Sequence, residues 1–210
     1  MVETETVPIG SGAVLLRGEL VSQADELLKF IYEIIARCPL RRVLTPRGKP
    51  MSVEMTNCGK FGWISDRFGY RYENVDPISR SGWPSMPEYF REVAEWCAAR
   101  AGYWDFSPDA CLINRYSTGS KMGLHQDRDE KDLSQPIVSV SLGLPATFFV
   151  GSKFRKVSIS KVKLWHGDVV VLGGESRLAY HGVGALRAGN HPATGQYRFN
   201  LTFRRVMPAN

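Results

Sequence analysis

From Ala110 onward apolar residues recur at every second position, a period that buries one face of an extended strand and suits no helix. Six such runs stand out, at 111–116, 137–144, 147–150, 157–164, 169–172 and 197–203, with turn residues between them. Short strands at this spacing predict an antiparallel jelly roll. The first half reads differently. Ser22-Gln23-Ala24-Asp25 forms a capping-box pattern ahead of Leu27, Leu28, Ile31, Ile34 and Ile35 at helical spacing, which predicts a helix over 22–36. A second helix is expected to start at Pro87, to bury Phe90, Val93, Ala94 and Cys97, and to stop at Gly102. Between them, 45–83 is weakly periodic and rich in glycine and aromatics, as short strands and loops would be. No repeat or linker interrupts the chain. The expected fold class is therefore mainly β (α+β), a single domain over 1–210 with the helices outside the sheets.

Composition narrows the setting. Hydrophobic residues make up 43% and charged residues 23%, the balance of a globular chain with its own core. The acidic start Met1-Val2-Glu3-Thr4-Glu5-Thr6 lacks the basic and apolar stretches of a signal peptide, and no apolar run is long enough to cross a bilayer. A cytoplasmic protein with no membrane partner is expected. Cys38, Cys58, Cys97 and Cys111 show no Cys-x-x-Cys spacing and read as buried small hydrophobes instead of disulfides or zinc ligands. The formal charge of +6 suits a polyanionic partner, and its distribution says more. Between Arg41 and Arg80, eight basic residues face four acidic ones, so this segment alone carries +4.

A triad of two histidines and one carboxylate holds iron(II) from one side and leaves positions open for a cosubstrate and dioxygen. His125-Gln126-Asp127 places two such ligands on one face of an extended chain. His166-Gly167-Asp168 offers the same pattern. The residues downstream of each pair separate the two. Beyond Asp127 lie most of the strands and then His181, which can return on a neighbouring strand. Gly167 and the apolar run Val169 to Val171 instead make the second pair look like a turn into a buried strand, and His191, beside Pro192, reads as structural too. The expected metal ligands are His125, Asp127 and His181.

On the last strand Tyr197, Phe199, Leu201 and Phe203 share one face, and Arg198, Asn200, Thr202 and Arg204 share the other. One reading is a half-buried strand with its polar face in water. The other is a dicarboxylate site, because two guanidinium groups on one face can pair with the two ends of 2-oxoglutarate. Asn114 and Tyr116, on one face of an earlier strand, would then complete the carboxylate hydrogen bonds, or else are ordinary polar strand residues.

Taken together, Pro108-Asp109-Ala110-Cys111-Leu112-Ile113-Asn114-Arg115-Tyr116, Leu124-His125-Gln126-Asp127, the run 136–145, His166-Gly167-Asp168, Gly173-Gly174-Glu175-Ser176-Arg177, Tyr180-His181-Gly182 and Arg198-Phe199-Asn200-Leu201-Thr202-Phe203-Arg204 resemble the bacterial AlkB dealkylases. The similarity reaches back through 51–59 and covers about residues 12–205. It implies a double-stranded β-helix, or jelly roll, with an N-terminal extension and nucleotide-recognition lid over about 12–84 and a dioxygenase core over about 85–205. It implies Fe(II) at His125, Asp127 and His181, and 2-oxoglutarate held by Asn114, Tyr116, Arg198, Asn200 and Arg204. With dioxygen, the alkyl carbon on a base such as N1-methyladenine or N3-methylcytosine is oxidised and leaves as formaldehyde, while 2-oxoglutarate becomes succinate. The partner implied is single-stranded DNA, with double-stranded DNA and RNA as further candidates, acted on by a monomer. The base must leave its stack to be reached.

Phe61, Trp63, Phe68, Tyr70 and Tyr72 interleave with Lys60, Arg67 and Arg71. Such a mixture can stack an extruded base and grip phosphates, or form a small apolar cluster under a solvated basic face. The resemblance implies that Trp63 stacks on the base, Tyr70 and Tyr72 contact the nucleotide, and Arg155 borders the base pocket. Thr45, Lys121 and Arg128 are candidate phosphate contacts. Asp129 shares parity with His125 and Asp127 if the strand continues, and its charge would favour a cationic alkylated base. The alternative is a solvated acidic turn, Asp129-Glu130-Lys131-Asp132. Leu172 and Gly123 depart from the resemblance, which implies an aromatic residue and a small hydroxyl there. Two other functions stay open on sequence: a 2-oxoglutarate oxygenase of a protein or small molecule, and a jelly roll that binds nucleic acid without turnover.

Overall fold

The computed structural model describes residues 4–154 and 159–208. In chain order its elements are β1 (Glu5–Gly10), β2 (Ala13–Arg17), α1 (Ala24–Arg37), β3 (Glu54–Gly59), β4 (Gly62–Asp66), β5 (Gly69–Glu73), α2 (Glu88–Arg100) and β6 (Ala110–Tyr116). Next come β7 (Met122–His125), β8 (Ile137–Gly143), β9 (Ala146–Val150), β10 (Ser160–Leu164), β11 (Val169–Leu172), β12 (His181–Val183) and β13 (Arg198–Arg204). A seven-stranded sheet in the order β1-β2-β11-β8-β13-β6-β3 faces a four-stranded sheet in the order β10-β9-β12-β7. All pairings are antiparallel. This is the expected jelly roll. Among the described residues no helix is long and apolar enough to cross a membrane.

The large sheet has two faces of different chemistry because side chains alternate along each strand. Val138, Val140, Leu142, Val169, Val171, Phe199, Leu201 and Phe203 pack against α1 and α2, which bury Leu27, Ile31, Phe90, Val93 and Cys97 on the same cluster. The opposite face looks between the sheets, where Ala13, Leu15, Leu112, Ile137, Phe148, Val150 and Leu172 form a second cluster. At about 25 cal/mol per Å² of apolar area removed from water, these faces supply most of the driving force for folding. All four cysteines are free and buried, as expected.

Both helices are found, with one correction. α1 starts at Ala24, and no side chain caps it: the Ser22 hydroxyl donates instead to Oε1 of Gln23. The backbone has already turned, through N–H bonds from Val21 to Gly18 O, Gln23 to Leu20 O and Ala24 to Val21 O, so a serine cap has little left to satisfy. The hairpin β1–β2 was not among the expected strands. Its apolar run, Val14-Leu15-Leu16, is too short to show a period, and β2 exists because β11, from the far half of the chain, pairs with it. With β2 paired to β11 and β3 to β6, two strands of segment 12–84 lie in the main sheet, and the hairpin β4–β5 stands apart from it.

That hairpin is tied down at its base. The Trp83 indole N–H donates to Glu73 O at 2.8 Å, and the ring lies so close on Gly62 that no Cβ would fit there. Beyond the hairpin, Arg41 grips both oxygens of Asp76 at 2.9 and 2.7 Å. Burial alone would raise the Asp76 carboxyl; the Arg41 hydrogen bonds overcome it and bring it down to about 2.

Candidate active site

His125 ends β7 and His181 begins β12, and the antiparallel register sets them directly opposite each other. Asp127 lies two residues beyond β7, and the ligand atoms of all three fall within 4.8 Å of one another. Nδ1 of His125 is 2.8 Å from Gly123 O, and Nδ1 of His181 is 2.9 Å from Ala179 O. A carbonyl only accepts, so each Nδ1 carries a ring proton, and Nε2 is the nitrogen that each ring turns toward Asp127, at 3.5 and 3.8 Å. Burial holds the His181 imidazolium pKa down at about 4, which keeps the ring neutral. Burial would raise the Asp127 carboxyl, but the Arg204 guanidinium overrides it and holds the group ionised. Two imidazole nitrogens and one carboxylate oxygen on one side of a point make a donor set for a divalent metal.

Behind the triad lies a narrow cavity of about 60 Å³, bordered by Asn114, Tyr116, Arg198, Asn200 and Arg204. All seven residues of β13 are buried, so its polar face looks into this cavity and not into water. Arg198 is 1% exposed, yet only its Nη2 has a partner, the Ser141 hydroxyl at 2.9 Å. Its Nε and Nη1 have none. A buried guanidinium with two idle N–H groups calls for an anion, and a carboxylate in the cavity would supply one. Arg204 sits at the metal end, with Nε and Nη2 both on Oδ2 of Asp127, at 3.0 and 2.5 Å. Asn114, also on the cavity wall, donates its N–H2 to Asn200 Oδ1 at 3.1 Å and leaves its own Oδ1 without a partner. Asn200 is likewise committed, to Ser139, Val140 and Thr202. The carboxylate donors on offer are therefore the arginines and the Tyr116 hydroxyl, with both asparagines bracing the strands.

In front of the triad a wider cavity of about 410 Å³ opens outward. Trp63 and Tyr70 of the hairpin stack at 5.5 Å on one side, Met51, Met55 and Leu124 add apolar wall, and Asp129 and Arg128 add charge. His125, Asp127 and Arg204 border both cavities, so the triad stands at their junction. Asp129 lies beyond the end of β7, so strand parity is not what places it; its Oδ2 takes the Trp63 indole N–H at 2.9 Å. Tyr72 shares the Trp63 face of the hairpin but does not border this cavity, and its hydroxyl turns to Glu130 at 2.7 Å. Lys121 is exposed, and the Thr45 hydroxyl accepts the Lys49 N–H at 3.2 Å within a turn. Arg155 lies outside the described residues. At Gly123, on the cavity wall, a Cβ would meet nothing within 4 Å, so a hydroxyl-bearing side chain would fit; Leu172 lines the inner cavity.

The second His-x-Asp pair is structural. Asp168 is 2% exposed and accepts from Arg17 at 2.7 Å and from the backbone N–H groups of Gly18 and Trp165. His166 accepts the Gly143 N–H at 2.9 Å and packs on His191. The sequence placed Glu130 in a solvated acidic turn and gave Arg177 no role in the site. Both are buried, and their partners lie far away in the chain, so no local pattern marks them.

A jelly roll with this triad at the junction of a polar inner cavity and an open outer one belongs to the 2OG-Fe(II) oxygenase superfamily, whose family model matches residues 12–204. Within it the chain is a member of the AlkB family of alpha-ketoglutarate-dependent dioxygenases. It is 52% identical over 199 residues to the alpha-ketoglutarate-dependent dioxygenase AlkB of Escherichia coli, covering 95% of this chain and 92% of that one. It is 31% identical over 124 residues to the human nucleic acid dioxygenase ALKBH1, covering 59% of this chain and 32% of that one. The solved structure of OsALKBH1 superposes with a TM-score of 0.84 at 30% identity, covering 96% of this chain and all of that one. The protein is thus an Fe(II)- and 2-oxoglutarate-dependent dioxygenase, and the donor set and the idle buried guanidinium fit both groups.

Proposed function

We propose that this dioxygenase removes alkyl groups from nucleic-acid bases, N1-methyladenine and N3-methylcytosine in single strands first among them, and that it does so as a cytoplasmic monomer. The observation that carries this reading is the stacked Trp63–Tyr70 pair, with the Asp129 carboxylate held beside it by the Trp63 indole N–H, on the wall of a 410 Å³ cavity that opens onto the triad. A flat, cationic ring suits that space, whereas an aliphatic side chain of a protein substrate would leave the aromatic face and the carboxylate unused. The hairpin β4–β5 serves as the lid, with Trp63 stacking on the base and Tyr70 beside it; Arg128, Lys121, Thr45 and Arg155 are the candidates for the flanking phosphates.

His125, Asp127 and His181 hold the iron. Arg198 and Tyr116 take the distal carboxylate of 2-oxoglutarate and Arg204 the nearer one. Bound iron, dioxygen and 2-oxoglutarate together supply the oxidising power, leaving succinate, carbon dioxide and formaldehyde. The protein orients the alkyl carbon toward the junction of the cavities and keeps bulk water behind the apolar wall of Met51, Met55 and Leu124.

The test loads the protein anaerobically with iron(II) and 2-oxoglutarate, admits oxygen, and follows an oligonucleotide carrying N1-methyladenine by mass spectrometry. Loss of one methylene mass with stoichiometric succinate is expected; succinate without any change in the oligonucleotide would point to a different substrate. Asp129→Asn refines the test, because an asparagine oxygen can still accept from Trp63 while the charge is gone. Its kcat/KM should fall about tenfold more for cationic N1-methyladenine than for neutral N1-methylguanine, at constant salt. An unchanged ratio would show that Asp129 does not read the lesion's charge.

A further inference from the structure

Glu130 is 1% exposed at its side chain, although its neighbours are charged and a solvated turn is what the sequence suggests. Its Oε1 lies 2.7 Å from the Tyr72 hydroxyl and 3.2 Å from Nε of Arg204, and its Oε2 accepts from Nη2 of Arg177 at 3.1 Å. Arg177 donates its other groups to the same loop, Nη1 to Asp127 O and Nε to Gln135 O, both at 2.7 Å. Glu130 borders neither cavity. One carboxylate thus joins β5 of the hairpin, which bears on the outer cavity, to the arginine that bears on the inner one.

We propose that Glu130 is a positioning residue that couples nucleotide binding under the hairpin to 2-oxoglutarate binding at Arg204. The physical reason is competition for donors. Arg204 gives its Nε and Nη2 hydrogens to Asp127 and pairs its charge with Glu130 at 3.2 Å, and the cosubstrate's nearer carboxylate needs the same guanidinium. A buried carboxylate oxygen must be satisfied, so withdrawing the Tyr72 hydroxyl leaves Oε1 with only Arg204 to draw on. While the hairpin is closed, Tyr72 supplies that bond, Oε1 draws less on Arg204, and more of the guanidinium is left for the cosubstrate. A nucleotide that holds the hairpin closed therefore tightens 2-oxoglutarate, and by linkage 2-oxoglutarate tightens the nucleotide by the same factor. This rests on the nucleotide reading of the outer cavity.

The experiment titrates 2-oxoglutarate calorimetrically into iron(II)-loaded protein without oxygen, with and without a saturating N1-methyladenine oligonucleotide. The readout is the ratio of the two dissociation constants, which a purely structural role would leave alone. In the unaltered protein the oligonucleotide should tighten 2-oxoglutarate about fivefold or more. Tyr72→Phe, which removes only a hydroxyl, should bring the ratio close to one, and Glu130→Gln should do the same. If Glu130→Gln does not fold, Tyr72→Phe alone decides. A ratio that survives Tyr72→Phe overturns the proposal, as does a ratio of one in the unaltered protein when the oligonucleotide binds. If the oligonucleotide does not bind at all, the nucleotide reading fails first and this coupling falls with it.

Discussion

Arg198→Ala is expected to weaken 2-oxoglutarate by at least about 30-fold, because removing one partner of a desolvated charge-assisted pair costs about 2–5 kcal/mol. The size of the effect follows from burial. Arg198 is 1% exposed over the Tyr116 ring, at 4.9 Å from its centroid, with Nε and Nη1 idle, and burial already lowers its pKa. Without its anion such a charge destabilises the fold, so Arg198→Met should melt at or above the unaltered protein when 2-oxoglutarate is absent. Adding 2-oxoglutarate should raise the melting temperature of the unaltered protein and leave that of Arg198→Met where it was. Calorimetric titration and thermal melting check both halves. Equal 2-oxoglutarate affinity in the variants would remove Arg198 from the site. Arg204→Ala is a less clean probe, since it also strips Asp127 and Glu130 of a partner.

Loss of any one triad residue should be the other large effect. His125→Ala, Asp127→Ala and His181→Ala should each weaken iron(II) by more than about 100-fold, beyond the 10- to 100-fold typical of losing a partner outside the ligand shell, and turnover should vanish. His166→Ala should retain iron, because His166 spends Nδ1 on the Gly143 N–H and packs on His191 instead of facing the triad. Metal content after anaerobic loading and desalting measures both. Iron lost in His166→Ala and kept in His125→Ala would reverse the assignment of the two His-x-Asp pairs.

The period-two strands and both helices were legible along the chain because each depends on neighbours within a few residues, and the choice of His125-Gln126-Asp127 over His166-Gly167-Asp168 because the order of strands and histidines after each pair can be read directly. Alternation along β13 likewise separated Phe199, Leu201 and Phe203 from Arg198, Asn200 and Arg204. The sequence left open whether that second face meets water. Strand pairing decided it: β8 and β6 flank β13 in the large sheet, the small sheet covers its polar face, and all seven residues are buried. The hairpin β1–β2 could not be read locally, since its partner β11 lies far along the chain.

The same distinction runs through the site. Sequence determined which residue types can hold a metal and a dicarboxylate, because those depend on the chemistry of single side chains and on the face they share. Only the tertiary structure decided which polar groups are spent on one another. Asn114 gives its N–H2 to Asn200, Tyr72 gives its hydroxyl to Glu130, and Arg177 holds the loop after Asp127 from across the fold. Glu130, beside Asp129 in sequence, is taken into the wall while Asp129 faces the open cavity. Nothing in an acidic run tells the two apart. The difference lies in the donors that Tyr72, Arg177 and Arg204 bring from elsewhere in the chain, since a carboxylate can leave water only where such donors await it.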